Sequence, residues 1–335
     1  MIQQDPEPAL PGLEIPPELL RPTRRPVRPG HRDPVADRPA PESSEAAPGH
    51  EPARPRSASA VSTQFYNRFP VPEPLVEHGP ARIIAVCNQK GGVGKTTTSI
   101  NLSASLAQYG RRVLAIDFDP QGGLSAGLGV STHEGATVYD LLVGRERDTR
   151  AAIVRTDYEG LDVIPANIDL SAAEVHLVTE VAREQILASV LRKVSDEYDL
   201  IVVDCQPSLG LLTVNALTAS HGVLVPLECE YFALRGVALL VETIEKVRDR
   251  LNPSLELDGI LPTMYDGRTL HAREVLDRVY EAFGDKVFDT VIGRTVKFPD
   301  ASVAGLPIVS FAPQHTASQA YRQLARELVD RGGVA

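Results

Sequence analysis

The chain has 335 residues, with 34 Lys and Arg against 44 Asp and Glu and a formal net charge of −10. That balance excludes a protein whose whole surface coats nucleic acid, so any contact with phosphates must come from a local basic patch. No apolar run reaches the roughly 18–20 residues a bilayer crossing needs, and the opening MIQQDPEPAL has neither the basic nor the apolar region of a signal peptide, which predicts a cytoplasmic protein.

Residues 1–80 hold 18 of the 27 prolines, together with nine Arg and no Lys. They carry little periodic apolar sequence and read as a disordered Pro/Arg-rich arm. Its basic run, Arg21 to Arg32, reads as a solvated flexible segment. Composition changes at Pro80, and residues 81–335 have the size of one large α/β domain with a single core.

From Ala81 onward short β-branched runs alternate with stretches of helical period, the signature of βαβ units around a mostly parallel sheet flanked by helices. Strands are predicted at Arg82–Cys87, Val113–Ile116, Leu161–Ile164, Leu200–Val203, Gly222–Pro226 and Leu257–Leu261. Each is nearly continuously apolar, as strands covered on both faces are. Helices are predicted at Lys95–Tyr109, Ser171–Leu177, Arg183–Glu197, Leu211–Ala219, Ala233–Asn252, Leu270–Phe283 and Thr316–Asp330. The last repeats Ala320, Leu324 and Leu328 at a spacing of four, which makes one apolar stripe. Cys87, Cys205 and Cys229 lie in or beside strand runs and read as buried free thiols.

The run Lys90-Gly91-Gly92-Val93-Gly94-Lys95-Thr96-Thr97 stands between the first predicted strand and the first predicted helix. In that setting glycines let successive N–H groups turn inward on phosphate oxygens, and the helix presents its positive end to the same anion. Lys95 is placed to reach the β- and γ-phosphates and the Thr96 hydroxyl to ligate Mg²⁺. Lys90 sits too far around its own loop to duplicate Lys95, so it is expected to reach the nucleotide of a neighbouring subunit. Asp117, Asp119 and Asp204 stand at or just past the carboxyl ends of apolar strands, where open parallel sheets bind ligands. Helix capping is the other use of an aspartate at such a place.

Three runs carry a resemblance: Asn88 to Thr98, Ile116-Asp117-Phe118-Asp119-Pro120-Gln121-Gly122, and Asp199 to Gly210 with Asp204-Cys205-Gln206-Pro207-Ser208 inside it. In this order they resemble the deviant Walker A ATPases of the ParA/MinD superfamily, and within it chromosomal, Soj-type ParA partition ATPases. The resemblance spans residues 81–330 and leaves the arm outside. It implies a single phosphate-loop NTPase domain that takes ATP and Mg²⁺ through Lys90, Gly91, Gly92, Val93, Gly94, Lys95, Thr96 and Thr97. It further implies that Lys90 acts across a dimer, that Lys95 binds phosphate, and that Asp119 orients or activates the attacking water. Asp204 would hold Mg²⁺ through water, with Asp117 near its shell. The family's Cys-Pro-Pro-Ser reads Cys205-Gln206-Pro207-Ser208 here, a change expected to alter switch detail and to leave hydrolysis in place.

Two later stretches extend the resemblance. Pro262 to Thr269 is similar to the family segment whose arginine contacts the DNA backbone, which points to Arg268. Ile292-Gly293-Arg294-Thr295-Val296-Lys297 is similar to the family's Ile-Pro-Arg-Asn-Val-Arg, whose Pro and Asn positions pack on adenine. Gly293 and Thr295 stand at those positions, and Arg294 and Lys297 join Arg268 as candidate DNA contacts. Such contacts touch phosphates without reading bases, which makes affinity independent of sequence and strongly dependent on salt.

The function implied is an ATP-dependent dimerising switch, cytoplasmic and nucleoid-associated. It binds non-specific double-stranded DNA and partitions a chromosome or plasmid with a ParB-type partner that stimulates hydrolysis. The alternatives are a MinD-like membrane-cycling ATPase, for which residues 327–335 lack a basic amphipathic anchor, and a ParA-like ATPase positioning a non-chromosomal cargo. An iron–sulfur ATPase would need cysteine pairs bridging a cluster, which these three cysteines do not supply. The proline content of residues 1–80 leaves no helix-turn-helix, so no operator-specific binding is expected, and the character of residues 327–335 leaves no membrane partner expected.

Overall fold

The computed structural model describes residues 68–132, 135–230 and 233–332, so the expectation for residues 1–67 lies outside the described residues. Seven strands form one sheet: β1 (Arg82–Val86), β2 (Val113–Phe118), β3 (Val154–Arg155), β4 (Leu161–Ile164), β5 (Leu200–Cys205), β6 (Gly222–Glu228) and β7 (Glu256–Thr263). Their order is β3-β4-β2-β5-β1-β6-β7, and every pairing is parallel except β3 with β4. The six predicted strands are all present. The two-residue β3 is too short to leave any period in the sequence.

Alternate residues of β1 serve two apolar layers. Ile83, Ala85 and, just past the strand, Cys87 face one that contains Leu212, Val237 and Val275, while Ile84 and Val86 face one that contains Leu102, Leu106, Tyr321 and Leu324. The helices that cover the sheet are α1 (Lys95–Gln108), α2 (Gly123–Gly127), α3 (Val138–Leu142), α4 (Ala173–Leu177), α5 (Ile186–Leu191), α6 (Leu211–Ala219), α7 (Ala233–Arg250), α8 (Leu270–Phe283), α9 (Lys297–Val303), α10 (Ile308–Phe311) and α11 (Thr316–Asp330). The stripe of α11 is spent inside: Ala317, Ala320, Tyr321, Leu324 and Leu328 are all buried. Helix α11 packs along α1, and the Tyr321 hydroxyl lies 3.3 Å from Thr98 Oγ1 within that contact.

One predicted helix is divided in the structure. The run 183–197 is not one helix: a 3-10 turn at Arg183–Gln185 leads into α5, and another follows at Ser195–Glu197. Tertiary contacts set that division. Asn215 of α6 accepts a hydrogen bond from Leu187 N at 3.2 Å and donates one to Arg183 O at 2.8 Å, so the helix start is fixed from outside. Lys297, one of the candidate DNA contacts, opens α9.

Residues 68–80, read as part of the arm, run along the amino edge of the sheet. Asp199, just before β5, gathers them: His78 Nδ1 lies 2.8 Å from its Oδ2, Gly79 N donates to Oδ1 at 3.0 Å, and Arg112 N donates to Oδ2 at 2.7 Å. The Arg111 guanidinium donates to Glu73 O at 2.8 Å, and Arg68 pairs with Asp289 at 2.8 Å. Proline content does not distinguish an extended strap of this kind from a free chain.

Candidate nucleotide site

The phosphate loop joins the buried end of β1 to the start of α1. Asn88 braces it, donating to Pro226 O at 2.7 Å and accepting from Lys90 N at 2.9 Å. Gly92 and Gly94 take φ values of 77° and 88°, left-handed turns that a Cβ would oppose. Gly94 caps α1 without a side-chain hydrogen bond, which leaves the first-turn N–H groups and the positive helix end to an anion.

At the carboxyl end of the sheet, β2 and β5 set Asp117 beside Asp204 in register, both fully buried. Asp117 accepts from Ser125 N at 2.8 Å and Ser125 Oγ at 2.6 Å. Asp204 takes hydrogen bonds from Ser99 Oγ at 2.9 Å and from Thr96, and its Oδ2 has no partner among the described residues. Burial raises Asp117 to about 6, against the hydrogen bonds from Ser125. Burial, and then the charge of Asp117, raises Asp204 to about 7. On adjacent strands, the charge of Asp117 adds to the burial of Asp204. Lys95 is buried, donates to Lys90 O at 3.1 Å and has its ammonium pKa lowered by desolvation, with Asp204 the first group opposing that shift. Asp119 is half-buried just past β2, where its Oδ1 accepts from Gln121 N at 3.0 Å. The arrangement joins one desolvated cation, two crowded acids and a cradle of backbone donors, which is what a phosphate-bearing ligand with a divalent cation requires.

Lys90 points away from Lys95. Its ammonium reaches Glu230 at 2.5 Å and Glu228 at 2.9 Å, at the end of β6 and just beyond it. Partial burial works against its charge, but the hydrogen bonds it donates to Glu230 and Glu228 outweigh that and raise its pKa. Glu228 also accepts from Arg294 at 3.1 Å. The two glutamates carry no spacing signal in the sequence, because only the register of β6 beside β1 brings them to the loop.

The two basic stretches meet at the carboxyl end of β7. Tyr265 N donates to Ile292 O at 3.1 Å and Tyr265 pairs with Gly293, which sets Arg268 and Arg294 in neighbouring loops, with Lys297 at the start of α9 just beyond. Each candidate phosphate contact already holds a carboxylate: Arg268 with Asp266 at 2.7 Å, Arg294 with Glu228 at 3.1 Å and Lys297 with Asp300 at 3.2 Å. Gly293 is exposed and Thr295 half-buried, and the Thr295 hydroxyl accepts from Lys297 N at 3.2 Å.

Residues 81–257 match the family described as an AAA domain. The chromosome-partitioning ATPase Soj of Treponema pallidum is 50% identical over 252 residues, covering 75% of this chain and 98% of that protein. The chain belongs to the ParA/Soj-type ATPases. Among solved structures, cobyrinic acid a,c-diamide synthase from Mycobacterium smegmatis, with bound ADP and magnesium, is 41% identical at a TM-score of 0.67, covering 76% of this chain and 96% of that one. The septum site-determining protein MinD from Pyrococcus horikoshii, complexed with Mg-ADP, is 27% identical at a TM-score of 0.64, covering 76% and 98%.

The turn after β5, with Gln206 in place of a proline, is one of the places where this ParA/Soj-type chain departs from the family's sequence pattern. Gln206 Nε2 donates to Ser208 Oγ at 2.9 Å and to Glu174 Oε1 at 3.3 Å. Glu174 also accepts from Leu212 N at 3.3 Å, so a side chain from α4 caps α6. A Cβ at Gly210 would collide with that carboxylate, which ties the glycine to the cap. Gln206 thus keeps a defined turn, held by Glu174.

Proposed function

We propose that this chain is an Mg²⁺-dependent ATPase working as a dimerising switch on DNA. The observation that supports it most is the buried pair Asp117 and Asp204 set beside Lys95 at the phosphate loop. These residues fit a divalent cation: the unpartnered Asp204 Oδ2 and the raised carboxyl are a cost that a nearby cation removes. Thr96 and Asp204 would hold it, Asp204 through water and with Asp117 near, and the ion would neutralise phosphate charge. The glycine loop from Gly91 to Gly94 and Thr97 cradle the phosphates of ATP, Lys95 binds their terminal oxygens, and Asp119 orients the attacking water. Gly293 and Thr295 flank the base. Lys90 exchanges its glutamates for the nucleotide of a second copy, which makes the ATP-bound form a homodimer.

In that dimer Arg268, Arg294 and Lys297 of both copies form one surface for the phosphates of double-stranded DNA, exchanging their carboxylate partners for phosphate oxygens. The protein is then cytoplasmic and nucleoid-associated. A ParB-type partner on the cargo stimulates hydrolysis and releases the dimer, moving a chromosome, a plasmid or another cargo. The buried stripe of α11 speaks against a membrane role for that helix, since its apolar residues are already engaged with α1.

The test is binding to random-sequence duplex DNA with ATP, ADP or no nucleotide over a salt series, with Lys90→Ala and Arg268→Ala in parallel and anionic liposomes as a second surface. ATP-dependent DNA binding lost in both variants is the expected result. Binding to liposomes instead, or to neither surface, would overturn the DNA switch.

A further inference from the structure

The phosphate loop is gripped from one side at two points by the ends of neighbouring strands. Thr263 ends β7, is buried, and donates its hydroxyl to Val93 O at 2.8 Å. Its register partner is Glu228 at the end of β6, which holds Lys90. The carbonyl that Thr263 grips lies between Gly92 and Gly94, both in left-handed conformations. Peptides flanked by such glycines reorient easily, so a loop that rearranges around phosphates moves that carbonyl and whatever is bonded to it.

The next residue is Met264, at φ 50°, where a residue with a Cβ is strained. Such a conformation persists only when both sides are pinned. Here Thr263 is pinned to the phosphate loop, and Tyr265 is pinned to the loop of Ile292 and Gly293, with Arg294 N returning to Tyr265 O at 3.4 Å. Arg268 lies three residues further along the same segment. A continuous path of hydrogen bonds therefore runs from Val93 to both basic loops, with Met264 as its strained link.

We infer that Thr263 is a positioning residue: its hydroxyl reports the state of the phosphate loop to the loops carrying Arg268 and Arg294, and so sets when those arginines are presented. This rests on the nucleotide-switch reading. It adds to that reading a specific residue, outside the glycine loop and the acidic pair, whose loss uncouples nucleotide from output without removing either site.

The experiment uses the full chain with Thr263→Val, which keeps the shape and removes the hydroxyl, and Thr263→Ser, which restores it. Fluorescent-nucleotide titration and thermal melting serve as controls. Hydrogen exchange of the amides at 264–268 and 292–297, with and without ATP and Mg²⁺, is the readout. ATP is expected to change exchange in both loops of the parent and of Thr263→Ser, and to leave them unchanged in Thr263→Val, whose ATP affinity stays within about threefold. The ratio of DNA affinity with ATP to that with ADP should fall roughly three- to tenfold in Thr263→Val, the range spanned by one lost hydrogen bond. A purely structural role would lower the melting temperature and ATP affinity of the Val variant while its loops still responded. Loops that respond to ATP equally in the parent and in Thr263→Val would overturn the proposal. A parent that binds no DNA but whose loops respond only through Thr263 would instead overturn the DNA reading and leave the coupling standing.

Discussion

Asp117 and Asp204 are register partners one rung before the end of the β2–β5 ladder, both sealed from solvent, with Ser125 hydrogen-bonded to the first and Ser99 to the second. Each has a carboxyl raised above its ordinary 3.8, to about 6 and about 7. A native state that binds protons more tightly than the unfolded chain loses stability as pH rises. The nucleotide-free protein should therefore lose the contribution of this pair between about pH 4 and pH 7. Asp204→Asn removes part of that loss. Its melting temperature should match the parent near pH 4 and exceed it by on the order of 5 °C at pH 7.5, as read by melting curves without nucleotide. A gap that narrows with rising pH would contradict the assignment.

Lys95 carries the second expectation. A charge-assisted hydrogen bond contributes about 1.5–3 kcal/mol, so Lys95→Ala should weaken ATP binding roughly tenfold to a hundredfold, measured by calorimetric titration. Lys90→Ala, which removes the ammonium paired with Glu228 and Glu230, should leave binding to the monomer within about threefold, because half-exposed ion pairs contribute little.

Gly259 offers a test of packing away from the nucleotide. A Cβ there would stand 2.7 Å from a ring carbon of Phe288 and 2.8 Å from Lys286 O, which is backbone. Gly259→Ala should destabilise the fold by about 1–3 kcal/mol in urea denaturation while ATP affinity at the remaining folded fraction is unchanged.

The thiols give a fourth. Cys87, Cys205 and Cys229 are buried; burial drives Cys205 well above the ordinary thiol range and Cys229 to about 12. The thiolate is the reactive species, so a disulfide reagent at pH 8 should titrate these cysteines slowly in the native protein and rapidly in denaturant. A fast native thiol would show that the packing around one of these cysteines opens.

The sheet was legible in the sequence because a strand covered on both faces must be apolar along its length, and the six such runs are six of the seven strands. Helices with two or more turns of stripe, such as Leu211–Ala219 and Leu270–Phe283, were legible for the same reason. Helices α2, α3 and α10 were not: at four or five residues their period does not complete two turns. In the site, Lys95 and Asp204 announce themselves by local motif. Glu228, Thr263 and Glu174 act through register and tertiary approach, and nothing near them in sequence marks that approach.

The contact between Thr98 and Tyr321 joins residues 223 positions apart, and it has a consequence in time. During synthesis the phosphate loop and α1 emerge long before α11 exists, so Leu102 and Leu106 wait without the helix that covers them. Closing so long a loop is slow, and apolar surface left open meanwhile invites aggregation. The nucleotide cradle, among the first parts of the domain to be made, gains its backing only when one of the last helices docks.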